Sequence, residues 1–157
     1  SRRQGLSAAL AAVEDIPKRM GESMYKAASQ IVDTVQGKVA TVSHFLRTTE
    51  PHLAAEAFKN LQVIPTLVQN LMEARIEKAK AAVRRQVRNH MDSIQAAQDS
   101  RVSHERLVQQ IQTVSSQAEQ IAREAVEKAA VECQAHVTRQ LSSTLSVLRE
   151  TLREQAA

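Results

Sequence analysis

Tryptophan is missing from this chain of 157 residues, and one tyrosine and two phenylalanines are its only aromatics. So few large side chains exclude a thick core, and no aromatics interleave with basic residues to stack nucleic-acid bases. A single cysteine excludes an internal disulfide and a cysteine-rich metal site. Three glycines and three prolines leave few places to turn. No apolar run approaches the length needed to cross a bilayer. The chain carries no glycine-rich phosphate loop, nucleophile elbow or zinc-protease motif.

What is present is alanine and valine, 24 of one and 16 of the other. Alanine forms helix at little entropic cost, buries little area and lets helices approach closely. The expected product is thin, extended and all-helical. The formal charge is +4, from 21 basic and 17 acidic residues that are interspersed along the chain. A nucleic-acid-binding module concentrates its positive charge more strongly.

Apolar spacing divides the chain into helices. Leu6, Leu10 and Val13 share a face of a short stretch over 6–16, which Pro17 ends or kinks. Gly21 separates it from a second amphipathic pattern over 22–47, carried by Met24, Ala28, Ile31, Val35, Val39, Val42 and Leu46. Gly37 lies inside that pattern, either facing solvent or marking a close contact. Thr49 or Glu50 ahead of Pro51 is a helix start. The helix over 51–98 is expected to kink at Pro65, with Thr66 capping a new start. Asp99-Ser100-Arg101 reads as a turn, with Ser100 or Ser103 as the next cap. The final helix, 102–154, is the longest, about 75 Å for fifty residues. Leu107, Ile111, Val114, Ala118, Ile121 and Ala125 follow in heptad steps, after which Ala129, Cys133, Val137, Leu141, Leu145, Leu148 and Leu152 drift from the heptad.

A bend near Ser100 places Ile94 opposite Leu107, Val87 opposite Val114 and Val83 opposite Ala118. The same register sets Ala57 near Leu145 and Leu53 near Leu148. These matches predict an elongated, coiled-coil-like antiparallel helical hairpin with an additional N-terminal helix packed at one end. Residues 1–21 are expected to form an N-terminal arm with a short helix, and 22–157 an extended helical domain. The expected packing seam is Val83, Val87, Ile94, Leu107, Ile111, Val114, Ile121, Leu141 and Leu148. No third helix is expected over the polar tip near 98–102.

The strongest charge feature is Arg75, Lys78, Lys80, Arg84, Arg85 and Arg88. Arg75, Lys78, Arg84, Arg85 and Arg88 are the candidate contacts for an acidic protein or lipid headgroups. Read plainly, they form a solvated face diluted by Glu73, Glu77 and Asp92. His44, His52, His90, His104 and His136 are scattered, with no converging ligand set, so no metal site is expected. Cys133, on an apolar face, reads as a small buried hydrophobe. Glu124, Glu127 and Glu132 read as solubilising and pairing groups rather than acid–base catalysts.

No cofactor and no enzymatic activity are expected. The leading expectation is a structural or adaptor subunit that spans or braces a larger assembly, such as a stalk or scaffold of a membrane-associated complex. The alternative is an amphipathic helical protein that binds a lipid or lipid-droplet surface reversibly. Protein partners or self-association are expected first, peripheral lipid contact second, and nucleic acid, through the Arg75–Arg88 strip, least. An intracellular location is favoured, or an organelle reached through a removed targeting peptide, for which Ser1-Arg2-Arg3 is too short to serve as evidence.

Overall fold

The computed structural model describes residues 2–99 and 104–156, with side chains described for all of these except 2–6, 54 and 97–99. Four helices follow in order: α1 (Arg2–Glu14), α2 (Ile16–Thr49), α3 (Pro51–Asp99) and α4 (His104–Ala156). No strand occurs among the described residues. The protein is all-α, and its long helices pack antiparallel. The expected turn residues Ser100 and Arg101, and the candidate cap Ser103, lie outside the described residues.

Pro17 does not stop the N-terminal helix where the sequence suggested. The break falls one residue earlier than Ile16, at Asp15. Pro17 then occupies the first turn of α2, where a missing N–H costs nothing. The junction stays nearly helical, because Asp15 N donates to the Ala11 carbonyl and Arg19 N to the Asp15 carbonyl, both at 3.1 Å. Arg19 also donates a side-chain bond to the Ala12 carbonyl at 3.2 Å and pairs with Asp15 at 3.4 Å. One guanidinium thus satisfies a carbonyl at the end of α1 and holds the start of α2.

Gly21 is therefore not a separator but an interior residue of α2, which begins six residues before the expected Glu22. It is buried, and an added Cβ would sit 3.1 Å from Cε of Lys80. The lysine stem fills the space that the absent side chain leaves. Gly37 is the opposite case, exposed with nothing within 4 Å of an added Cβ.

Between α2 and α3 only Glu50 is not helical. Thr48 and Thr49 belong to the end of α2, and their hydroxyls donate to carbonyls of that last turn, Thr49 to Phe45 at 2.7 Å. Glu50 is the residue that precedes Pro51: its N–H bonds Leu46 at 2.8 Å and its carbonyl accepts from Leu53 at 3.1 Å. The α3 helix continues through Pro65, so Thr66 lies in mid-helix and caps no new start. The ring there removes the N–H that would have reached the Leu61 carbonyl.

Helix contacts gather into two compact units, Ser1–Lys26 with Ala74–Glu127 and Ala27–Glu73 with Lys128–Ala157. In the first, Val13, Ile16, Val83, Val87, Val114 and Ala118 form one buried cluster, with Met20, Met91, Ile111 and Ile121 packed against it. The register that sets Val83 against Ala118 and Val87 against Val114 is the expected one. Val13 and Ile16 show that the N-terminal segment packs on the α3–α4 pair at Val87 and Val114. Each valine or isoleucine fully buried here contributes about 1.5–3 kcal/mol. In the second unit the buried side chains include Val35, Val39 and Leu46 of α2, Leu53, Leu61, Ile64 and Val68 of α3, and Ala129, Cys133 and Val137 of α4.

The inward face of α4 departs from the expected heptad in two places. Ala122 is buried while its neighbour Ile121 is half-buried, and Thr144 is buried while its neighbour Leu145 is exposed. Thr144 meets its hydroxyl requirement locally, donating to the Gln140 carbonyl at 2.9 Å. Inward positions from Leu107 to Thr151 advance by about 3.67 residues per step, the 11-residue period rather than the heptad's 3.5.

The two glycines make a paired test. Gly37→Ala should stabilise the chain by about 0.5–1 kcal/mol through helix propensity alone. Gly21→Ala should gain clearly less, because Lys80 must give way. Thermal melts followed by circular dichroism compare them directly, and an equal gain from both would contradict the close approach. Ser43 supplies a second test: it is buried on α2 and its Oγ finds no partner among the described residues. Ser43→Ala removes an unsatisfied hydroxyl and should raise the melting temperature, whereas a fall would show that the hydroxyl is bonded.

Candidate functional site

The chemistry-bearing side chains do not converge. Among the described residues no three of His, Cys, Asp and Glu come together as metal ligands. His90 shares Gln117 with Gln86, at 3.1 Å from the histidine ring. His136 meets Arg139 at 3.2 Å within one turn of α4, and His52 meets Gln155 at 3.3 Å. Cys133 is buried, and burial, helped by the nearby charge of Glu132, pushes its thiol pKa above the ordinary value. It is therefore mostly in the thiol form at neutral pH, which slows its reactions.

The basic strip is not uniform. Lys78, Arg84, Arg85 and Arg88 are exposed, while Arg75 is half-buried and engaged. Lys80 turns to its own fold: it pairs with Glu77 at 3.5 Å and lies 5.8 Å from the centre of the Tyr25 ring. Tyr25 donates to Glu77 at 2.7 Å, which ties α2 to α3 inside the first unit. That hydrogen bond, then the Lys80 charge, holds the Glu77 carboxyl below its usual range. The remaining strip is three arginines and a lysine in solvent, with Glu77 beside it. Nothing in the sequence marked the Tyr25–Glu77–Lys80 group, because its members meet across two helices. Glycine at position 21, opposite Lys80, was the only trace.

The residues expected in the packing seam differ in burial. Val83, Val87, Ile94, Leu107, Val114 and Leu148 are buried, and Ile111, Ile121 and Leu141 are half-buried. Leu141 is half-buried because it lines an open groove rather than the core.

That groove, about 550 Å³, lies between α2 and α4 in the second unit. Ala27 to Lys38 form one side and Ala130 to Leu141 the other, so the two helices run parallel here. Small side chains at Ala27, Ala130, Cys133, Thr34 and Thr138 keep it deep. Beyond the groove the same sides of both helices stay apolar and uncovered. Phe45, seven residues after Lys38, is 61% exposed, and Leu145, seven after Thr138, is 49% exposed. Val131 at 68% and Leu152 at 39% extend the α4 row. Val131, Thr138, Leu145 and Leu152 recur every seven residues on the outward side of α4, the interval of a second, outward coiled-coil seam. Spacing alone sets Leu145 and Leu152 in the same α4 row as Leu141 and Leu148, so periodicity does not separate the outward seam from the inward one.

No helix among the described residues is long and apolar enough to cross a membrane. No protein-family model, curated protein or solved structure matches the chain.

The Tyr25–Glu77 bond predicts a pH effect. Because the folded pKa of Glu77 is depressed, the stability it confers is present above the unfolded carboxylate pKa and is lost as pH falls through the folded value. Tyr25→Phe should raise the Glu77 pKa toward the ordinary range, read by NMR titration of its side-chain carboxyl carbon. An unchanged titration curve would remove the tyrosine from the account.

Proposed function

We propose that this protein is a non-catalytic structural or adaptor subunit that spans or braces a larger protein assembly through its long helices. The observation that carries the reading is the outward seam of α4, where Val131, Leu145 and Leu152 repeat at helical spacing and remain uncovered by the chain's own helices. Scattered exposed apolar residues are ordinary on a protein surface, whereas a periodic row suits a helical partner. The helices of 49 and 53 residues support the same role, since a brace transmits position along a long helical axis. The absence of converging acid–base or metal-ligating groups among the described residues gives no competing chemistry to explain. A stalk or scaffold within a membrane-associated complex is the specific form we favour. Lys78, Arg84, Arg85 and Arg88 would then meet an acidic partner or anionic headgroups, at a strength that falls with salt.

The reading is tested in extracts of the source cell by native size fractionation of the tagged full chain. It should travel in an assembly far heavier than its own 17.4 kDa. Leu145→Glu with Val131→Glu should release it as free chain while its helicity persists. A wild-type protein that runs free, or that floats with lipid particles and is unaffected by both substitutions, would overturn the reading, the latter outcome in favour of lipid-surface binding.

A further inference from the structure

The α2–α4 groove of the second unit has features that a bracing role does not use. Its lining runs eleven residues along each helix, about 16 Å at 1.5 Å per residue. Its floor is apolar, made by Val35, Val137 and the buried Cys133, with Ile31 and Leu141 at half-burial. Its volume of about 550 Å³ falls within the range of small-molecule sites. A lining that extends along two helices suits an extended hydrocarbon chain. Exposed Gln30, Thr34, Gln134 and Thr138 give it a neutral polar rim.

One lining residue is charged, Lys38, and it stands at the far end of the α2 side. No carboxylate pairs with it among the described residues. A neutral slot ended by one unpaired ammonium is complementary to a molecule with one long apolar chain and one terminal anion. We propose that this groove binds a single long-chain fatty acid anion, its carboxylate on Lys38 and its chain running from there along Val35, Val137, Ile31 and Cys133. The charge sets orientation, and the apolar contact supplies most of the affinity. A partner helix would cover the same face without needing a lone cation at one end, and a second copy would bring a second Lys38 into the same apolar interface.

The test uses the full chain, titrated by calorimetry with laurate and with methyl laurate, each below the concentration at which it aggregates. Laurate should bind saturably, one per chain. Lys38→Glu and Lys38→Gln, at an exposed position, should weaken laurate by about five- to tenfold and leave methyl laurate unchanged. Ala130→Phe, which fills the groove, should abolish both, with circular dichroism confirming retained helix. Saturating laurate should also slow labelling of Cys133, the only thiol, by N-ethylmaleimide. The proposal is overturned if no saturable binding occurs, if laurate and methyl laurate respond alike to Lys38→Glu, or if the chain sediments as a dimer that laurate does not affect. None of these outcomes touches the size fractionation that tests the bracing role.

Discussion

The close approach of helices whose inner faces are mostly alanine and valine is the constraint on which the rest of the structure depends. Small side chains bring backbones together, and at that distance register becomes strict, because each inner residue has one space to fill. Val83 with Ala118 and Val87 with Val114 show it in one unit. In the other, Leu53 and Ala57 share a small cavity with Thr144 and Leu148. The same narrowness leaves little side-chain volume for a deep enclosed site. The concavity that does form is an open groove where Ala27, Ala130 and Cys133 leave room between two helices.

Polar groups are handled locally under this constraint. Thr41, Thr48, Thr113, Thr144 and Thr151 each return a hydroxyl bond to a carbonyl one turn back. This satisfies the hydroxyl without asking a neighbouring helix for a partner, so a threonine can stand in an inner row at small cost. Across helices the polar links are few and specific, as with Tyr25 on Glu77 or the Arg47 guanidinium 4.7 Å above the Phe58 ring. They suit pinning better than bulk stabilisation, since exposed ion pairs contribute little.

Much of the fold was legible because helical periodicity is a strong signal over long segments. The α3–α4 register followed from spacing, and so did the burial of Cys133, Val83 and Ile94. What spacing could not resolve was α4 beyond Ala125, where two apolar rows overlap. Leucines at 141, 145, 148 and 152 draw the eye to one stripe, yet the core takes Thr144 and leaves Leu145 outside. Hydrophobicity ranks a leucine above a threonine, but the 11-residue period decides which one points inward. Gly21 and Pro17 misled for a related reason. Both are breakers in isolation, but Pro17 sits where no N–H is needed and Gly21 where a lysine stem needs the space. The groove was invisible in sequence, since it depends on which small residues of α2 and α4 face one another.

The single residue between α2 and α3 has its own consequence. Glu50 leaves no slack, so contacts across this corner join positions close in sequence, Arg47 and Phe58 among them. Closing so short a loop costs little chain entropy. Assembly of the protein can therefore begin here as a local event, and low sequence separation favours speed. The corner is also intolerant of length. An inserted residue would turn everything that follows by about 100° about the helix axis, carrying Leu53 and Ala57 off the inner row. A chain otherwise permissive in its surface is thus metrically exact at one point, and the spacing of its second half is counted from Glu50.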